Sequence, residues 1–199
     1  MTDPFPPLVL VHGLWDTPSV FDRLQGALAG RRAPLLTPHL PHRLGAAPIL
    51  GLAERLEAAI TAAFGPSQAI DLLGFSMGGV IARTWIQLMG GAGRTRRFIS
   101  VGSPQRGTVM AQACPPWLMA GIADLKRDSP LIRQLNADPS ALAGIDCRSY
   151  YCVTDHMVVP GSSALLPVGK AFPLPTWNHR NLVRAEPAVA ILTAALLQP

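Results

Sequence analysis

Cysteine is scarce in this chain. There are three, Cys114, Cys147 and Cys152, and no two stand in a C-x-x-C pair. An odd number without that spacing indicates neither a disulfide framework nor a zinc site. Charge is also sparse, at 15% of residues, and aromatic side chains make up only 6%. No apolar run approaches the ~18 residues that a membrane-spanning helix needs. The longest, AVAILTAALL near the C-terminus, is interrupted by Thr193. The first residues, MTDPFPPLVLV, carry no basic segment and too short an apolar run for a secretory signal. The expected location is therefore a reducing cytoplasm. The net charge is +5, but the arginines are scattered, with short clusters at Arg31-Arg32 and Arg94-Arg96-Arg97. Without a basic stripe, tail or aromatic interleave they do not point to nucleic acid. They leave room for mild attraction to an anionic lipid surface and peripheral membrane contact.

Apolar side chains are plentiful. They form 49% of the 199 residues, alongside 20 prolines and 18 glycines. That length suits one domain over residues 1–199, and that composition can bury a core. Short apolar runs alternate with helical periodicity. LVLV at 8–11 predicts a buried parallel strand ending at His12-Gly13. Ser19 is placed to cap a helix with Val20, Phe21, Leu24 and Leu28 on one face. Leu35-Leu36 predicts a short strand. Pro48 opens a helix with Leu52, Leu56, Ile60 and Phe64 on one side, stopped by Gly65-Pro66. Residues 69–75 (AIDLLGF) predict a strand, followed by a helix from Met77 to Gly90-Gly91. Residues 98–101 and 148–153 predict two more strands, with a mixed segment between and a helix near 129–136. Pro173 and Pro175 confine any strand at 171–178 to a short or edge position. Glu186-Pro187 begins the last helix. This alternation predicts an α/β fold with a mostly parallel sheet and helices on both faces.

The string with chemical content is Gly74-Phe75-Ser76-Met77-Gly78. In a G-x-S-x-G sequence between a strand and a helix, the serine sits on a sharp turn, and the glycines remove Cβ atoms that would clash there. Ser76 is the candidate nucleophile. His12-Gly13 closes the first strand, so the backbone N–H groups of Leu14 and Met77 are candidates to hold an oxyanion. An acid and a base should follow the serine in chain order. His179 stands in a loop before the last helix and is the candidate base. His156 adjoins Asp155 and cannot easily converge on it. His39 and His42, in P-H-L-P-H, have no acid or cysteine at ligand spacing, so no metal is expected. Asp155 follows the YYCV strand, where a carboxyl-end loop would bring it beside the serine. Asp146 precedes that strand and belongs at the opposite edge. Asp71 lies within the strand before the turn, and Asp124, Asp128 and Asp138 fall in the mixed segment.

At these residues the chain resembles the α/β-hydrolase superfamily, and most closely its small bacterial branch of cyanobacterial-type triacylglycerol lipases and esterases. The resemblance runs through LVLVHGLWDT, DLLGFSMGGVIAR, RRFISVGSPQRGT and SPLIRQLNAD to the T-D-x-x-V-x-P stretch at 154–160 and to His179. It implies Ser76 as nucleophile, Asp155 as acid and His179 as base, with Leu14 and Met77 as oxyanion donors and no cofactor. It further implies a compact fold of about six strands, because the chain starts near the third strand of the full sheet, and no large cap. Gln105 stands where many relatives have a histidine, which bears on the rim of an acyl pocket. Trp15 and Trp117 are candidate substrate contacts in a shallow, open pocket, favouring short or medium acyl chains. The implied reaction is cleavage of an acyl ester, either a small molecule or a lipid such as an acylglycerol. An acyltransferase or thioesterase using the same groups, and a non-catalytic binding protein, are the alternatives.

Overall fold

The run with no polar residue forms the strand at the centre of the argument. In the computed structural model, which describes residues 5–198, Leu8–Val11 (β1) is buried along its whole length. Its neighbours are all parallel, in a six-stranded sheet of order β2-β1-β3-β4-β5-β6. The other strands are Leu35–Leu36 (β2), Ile70–Phe75 (β3), Thr95–Val101 (β4), Asp146–Tyr151 (β5) and Lys170–Pro173 (β6). The helices are Asp22–Leu28 (α1), Ile49–Phe64 (α2), Met77–Leu88 (α3), Ala120–Ala123 (α4), Pro130–Ala137 (α5) and Glu186–Leu196 (α6).

The period-two alternation of strand side chains divides the core in two. Val9, Val11, Ile70, Leu72 and Phe98 pack with α2, α3 and α5 on one face. Leu8, Leu10, Leu73, Phe75, Ile99 and Val101 pack with α1 and α6 on the other. Full burial of each such side chain contributes about 2 kcal/mol before conformational entropy is counted. With both faces covered, β1 and β3 need no polar alternation, which is why they read as continuous apolar runs.

Several boundaries differ from expectation for physical reasons. Ser19 does not cap a helix. Pro18–Phe21 forms a 3₁₀ turn, Ser19 Oγ lies 2.8 Å from Thr17 Oγ1, and α1 begins only at Asp22. β4 starts three residues before the predicted 98, through Thr95, Arg96 and Arg97, because the charges are answered in space. Arg96 is the extra residue of a bulge opposite Ile70-Asp71 and donates two hydrogen bonds to the Asp71 carboxylate, at 2.9 and 2.6 Å. Asp71 is fully buried and also accepts from Arg32. Arg97 pairs with Asp146 at 2.7 Å. Asp146 is therefore the first residue of β5 rather than its predecessor, although it does lie at the sheet end away from Ser76. β5 ends at Tyr151, two residues early, and Pro173 closes the edge strand β6.

β1 has β2 on one side and β3 on the other, so the chain reverses its direction of travel across the sheet there. In a parallel sheet such a reversal leaves a crevice at the carboxyl ends of the two diverging strands. Those ends are His12-Gly13 and Ser76.

Candidate active site

Ser76 occupies the single position between β3 and α3. Its backbone is in the left-handed half of conformational space, φ 54° and ψ −129°, a conformation that L residues avoid at a cost of about 1–3 kcal/mol. The turn is held from both sides. Ser76 N–H donates to Val101 O at 2.9 Å, and Gly79 N–H donates to Ser76 O at 3.1 Å. Close approach explains the flanking glycines. A Cβ on Gly78 would lie 2.1 Å from Val11 O, and one on Gly13 would lie 2.8 Å from Ser76 Cβ. The end of β1 is thus pressed directly against the serine.

The N–H groups of Leu14 and Met77 make no hydrogen bond among the described residues. Met77 is the first residue of α3, where helical geometry leaves N–H groups unpaired and the helix end partly positive. The loop carrying Leu14 is held at the next residue. Trp15 also has positive φ, 59°, and its N–H donates to His42 Nε2 at 3.1 Å. Behind this loop His12 is buried. Its Nε2 accepts from Leu40 N–H at 3.0 Å, so its Nδ1 carries the proton and donates to Gly13 O. Burial lowers the His12 pKa and keeps it neutral, as that bonding requires.

His179 follows Asn178, whose side chain caps a 3₁₀ turn at His179–Leu182. Its ring packs on Phe75, the neighbour of Ser76, with centroids 5.0 Å apart. Its Nδ1 lies 2.7 Å from Asp155 Oδ2. An anionic carboxylate at Nδ1 fixes the proton there and leaves Nε2 as the acceptor. Nε2 is buried and has no hydrogen-bond partner among the described residues. Asp155 is itself oriented by N–H donation to Oδ1 from Met157 at 2.8 Å and Val158 at 3.2 Å. Burial pushes its pKa up, but the hydrogen bond and charge of His179 and the two N–H groups outweigh it, so the carboxyl sits below its ordinary value.

Ser76, His179, Leu14 and Trp15 share one cavity of about 700 Å³, within the range of ligand sites. The segment after β4 supplies one of its walls. Met110, Ala111, Met119, Ile122 and Leu125 make that wall apolar.

The sequence from residue 8 to 195 matches the model of the alpha/beta hydrolase family. The chain belongs to that family. Similar solved structures include Aspergillus fumigatus lipase B, at 21% identity and TM-score 0.79, covering 99% of this chain and 54% of that one. Bacillus licheniformis lipase BlEst2 in mature form matches at 16% identity and TM-score 0.78, over 98% of this chain and 94% of that one. The metagenomic carboxyl esterase MGS0156 matches at 18% identity and TM-score 0.69, over 99% and 76%. This chain thus spans about half the length of the Aspergillus lipase. No curated protein matches it.

Within this hydrolase fold two residues lie elsewhere than the sequence suggested. Trp117 does not line the cavity. Its side chain is 89% exposed, and Cys114 and Met119 on either side face the site instead. Gln105 is fully buried and off the rim, with Nε2 donating to Ser100 Oγ at 2.9 Å. The rim position belongs to Pro104. His42, for which the sequence offered no role beyond the absence of a metal site, is half-buried and bonded to the loop carrying Leu14.

Proposed function

We propose that the protein is a carboxylic ester hydrolase working through an acyl-enzyme on Ser76. The observation that carries this reading is the His179–Asp155 pair packed beside the left-handed Ser76 at an apolar cavity. His179 Nε2 takes the Ser76 Oγ proton as Oγ attacks the acyl carbon. The tetrahedral oxyanion receives the Leu14 and Met77 N–H groups, a stabilisation worth about 3 kcal/mol per donor in comparable sites. His179 returns the proton to the leaving alkoxide, then activates water to release the acid. Asp155 holds the tautomer and balances the imidazolium charge.

The substrates we propose are acylglycerols or related lipid esters. The apolar wall suits an acyl chain. All the exposed large hydrophobic side chains among the described residues except Leu50 and Ile191 sit between the helices and strands. These are Trp15, Leu44, Val109, Met110, Trp117, Leu118, Val153 and Trp177, on the loops after β1, β2, β4, β5 and β6. Those loops follow the carboxyl ends of the strands, as the site does, and Trp15 and Met110 among them line the cavity, which suits peripheral contact with lipid. The three cysteines are free thiols, which fits a reducing compartment such as the cytoplasm. Among the described residues no helix is long and apolar enough to cross a membrane.

A fluorescent alkylphosphonate tests the assignment. It should label the wild type covalently and leave Ser76→Ala unlabelled. Equal labelling of the two would remove Ser76 from the role.

A further inference from the structure

Beside the catalytic cavity lies a second depression of about 520 Å³, lined by Arg23, Asn178, Arg180, Asn181, Arg184 and Ala185. The two adjoin, because Asn178 and Arg180 line both. Arg23, Arg180 and Arg184 line this groove, none of its lining residues is acidic, and the nearest carboxylate, Asp16, is engaged by Arg180 beside it. At the opposite end of the sheet the arginines have carboxylate partners: Arg32 and Arg96 share Asp71, and Arg97 and Arg148 share Asp146. The groove is arranged differently. Arg184 makes no side-chain hydrogen bond or ion pair among the described residues, and its own carbonyl accepts from Arg23 Nη1 at 2.9 Å. That bond ties the start of α1 to the turn before α6 and brings the two arginines together. Arg180 pairs with Asp16 through one Nη2 contact at 2.8 Å, and its side chain is 56% exposed, so most of its five donors remain free.

We infer that this groove holds an anionic group, phosphate or carboxylate, carried by the ester substrate on the part that lies outside the apolar cavity. Planar guanidinium forks match the oxygens of such groups, and several of them on one wall favour a phosphate over a neutral polyol. The inference rests on the ester-hydrolase reading and narrows its substrate class. It also gives the excess positive charge a local use, since Arg180 directly follows His179 and joins the groove to the reacting centre.

The test compares two soluble esters of one acyl chain, monobutanoylglycerol and its glycerol phosphate counterpart, in wild type, Arg184→Gln and Arg184→Lys. Arg184 is exposed, so these variants should fold. Wild type should show kcat/KM about tenfold higher on the phosphate ester, the equivalent of one or two partly exposed charge-assisted contacts. Arg184→Gln should cut that ratio at least threefold, Arg184→Lys should retain most of it, and added salt should shrink it. A wild-type ratio of one or below, with brisk hydrolysis of the neutral ester, overturns the inference and leaves the ester reading standing. Hydrolysis of neither ester defeats both. A second arm measures binding to vesicles of phosphatidylcholine with and without phosphatidylglycerol. If Arg184→Gln weakens binding to the anionic vesicles while the soluble ratio stays at one, the groove serves a lipid surface and the substrate-borne anion is overturned.

Discussion

Asp16 and Arg180 are 164 residues apart in sequence and 2.8 Å apart in space. Asp16 belongs to the loop that presents Leu14, and Arg180 directly follows His179, so this ion pair joins the proposed oxyanion donor to the proposed base. Arg180 is more than half exposed, which limits the pair's contribution to stability to about 1 kcal/mol or less. Its value lies in geometry, where displacing a donor by a fraction of an ångström weakens transition-state binding. Asp16→Asn is expected to lower kcat on a neutral ester three- to tenfold, with KM changed less than twofold and Tm within a few degrees of wild type. An unchanged kcat would show that the two loops hold their positions without it.

His42 supports the same loop from the other side. Trp15 keeps a left-handed backbone that costs about 1–2 kcal/mol in isolation, and its N–H is satisfied by His42 Nε2. His42→Ala should release that N–H and let Trp15 relax, reducing kcat about tenfold. His42→Gln retains an acceptor and should recover part of the loss. Steady-state kinetics of both variants on one soluble ester decide the matter, since general destabilisation would lower the two alike.

Ser76 and His179 should behave as one unit. Ser76→Ala and His179→Ala are each expected to lose at least about 10³-fold in kcat, and the double variant little more than either alone. Multiplicative losses would mean that the two act in separate steps. A His179→Ala protein of near wild-type rate would move the base elsewhere, with His156, which also lines the cavity, the next residue to replace.

The elements carrying this machinery were legible because each has a local cause. Two-sided burial makes β1 and β3 apolar throughout, and the steric demands of the elbow place glycines on both sides of Ser76. What escaped depends on partners far away in the chain. The first three residues of β4 look like a charged loop until Asp71 and Asp146 are brought to Arg96 and Arg97. Trp117 was expected to supply apolar contact to an acyl chain, yet its side chain stands in solvent, a placement that its residue type does not encode. The role of His42 follows from a backbone N–H of a left-handed residue 27 positions earlier, which no pattern of residue types encodes.

Acid stability should carry the signature of two carboxyls with opposite signs. Asp155 has a folded-state pKa below its ordinary value, because its bonds to His179 and to two N–H groups overcome burial. The unfolded chain therefore binds this proton more readily, and the stabilisation is present above the unfolded value near ~3.9 and lost as pH falls through the lower folded value. Asp124 is shifted upward, chiefly by burial and against the Ile49 N–H bond. It favours the fold at low pH and loses that contribution as pH rises through its folded value. Denaturant titrations from pH 3 to 7 should show a shallower acid loss in Asp155→Asn than in wild type. Asp124→Asn, which retains an acceptor for Ile49, should gain stability at pH 7 relative to pH 4. The reverse order of the two variants would contradict both assignments.

The last prediction concerns acyl-chain length. Each buried methylene contributes about 0.8 kcal/mol, so kcat/KM should climb up to about fourfold per carbon while the chain lengthens along the apolar wall. Beyond the mouth the chain meets water and the slope should flatten. A cavity of about 700 Å³ places that break at medium rather than very short chains. Ala111 lies on the wall and is almost fully buried, so Ala111→Leu should fill space that substrate would otherwise use and move the break to shorter chains. Of the wall, Ala111, Ile122 and Leu125 are already packed into the core alongside α3 and α5 and Met119 packs against it, while Met110 is exposed, so no large movement is needed to admit substrate. Rates on p-nitrophenyl esters should accordingly show no sharp rise as each ester passes its solubility limit. A long-chain optimum insensitive to Ala111→Leu, with strong activation at the droplet surface, would mean that the segment from Pro104 to Leu125 moves as a lid and that the acyl chain binds elsewhere.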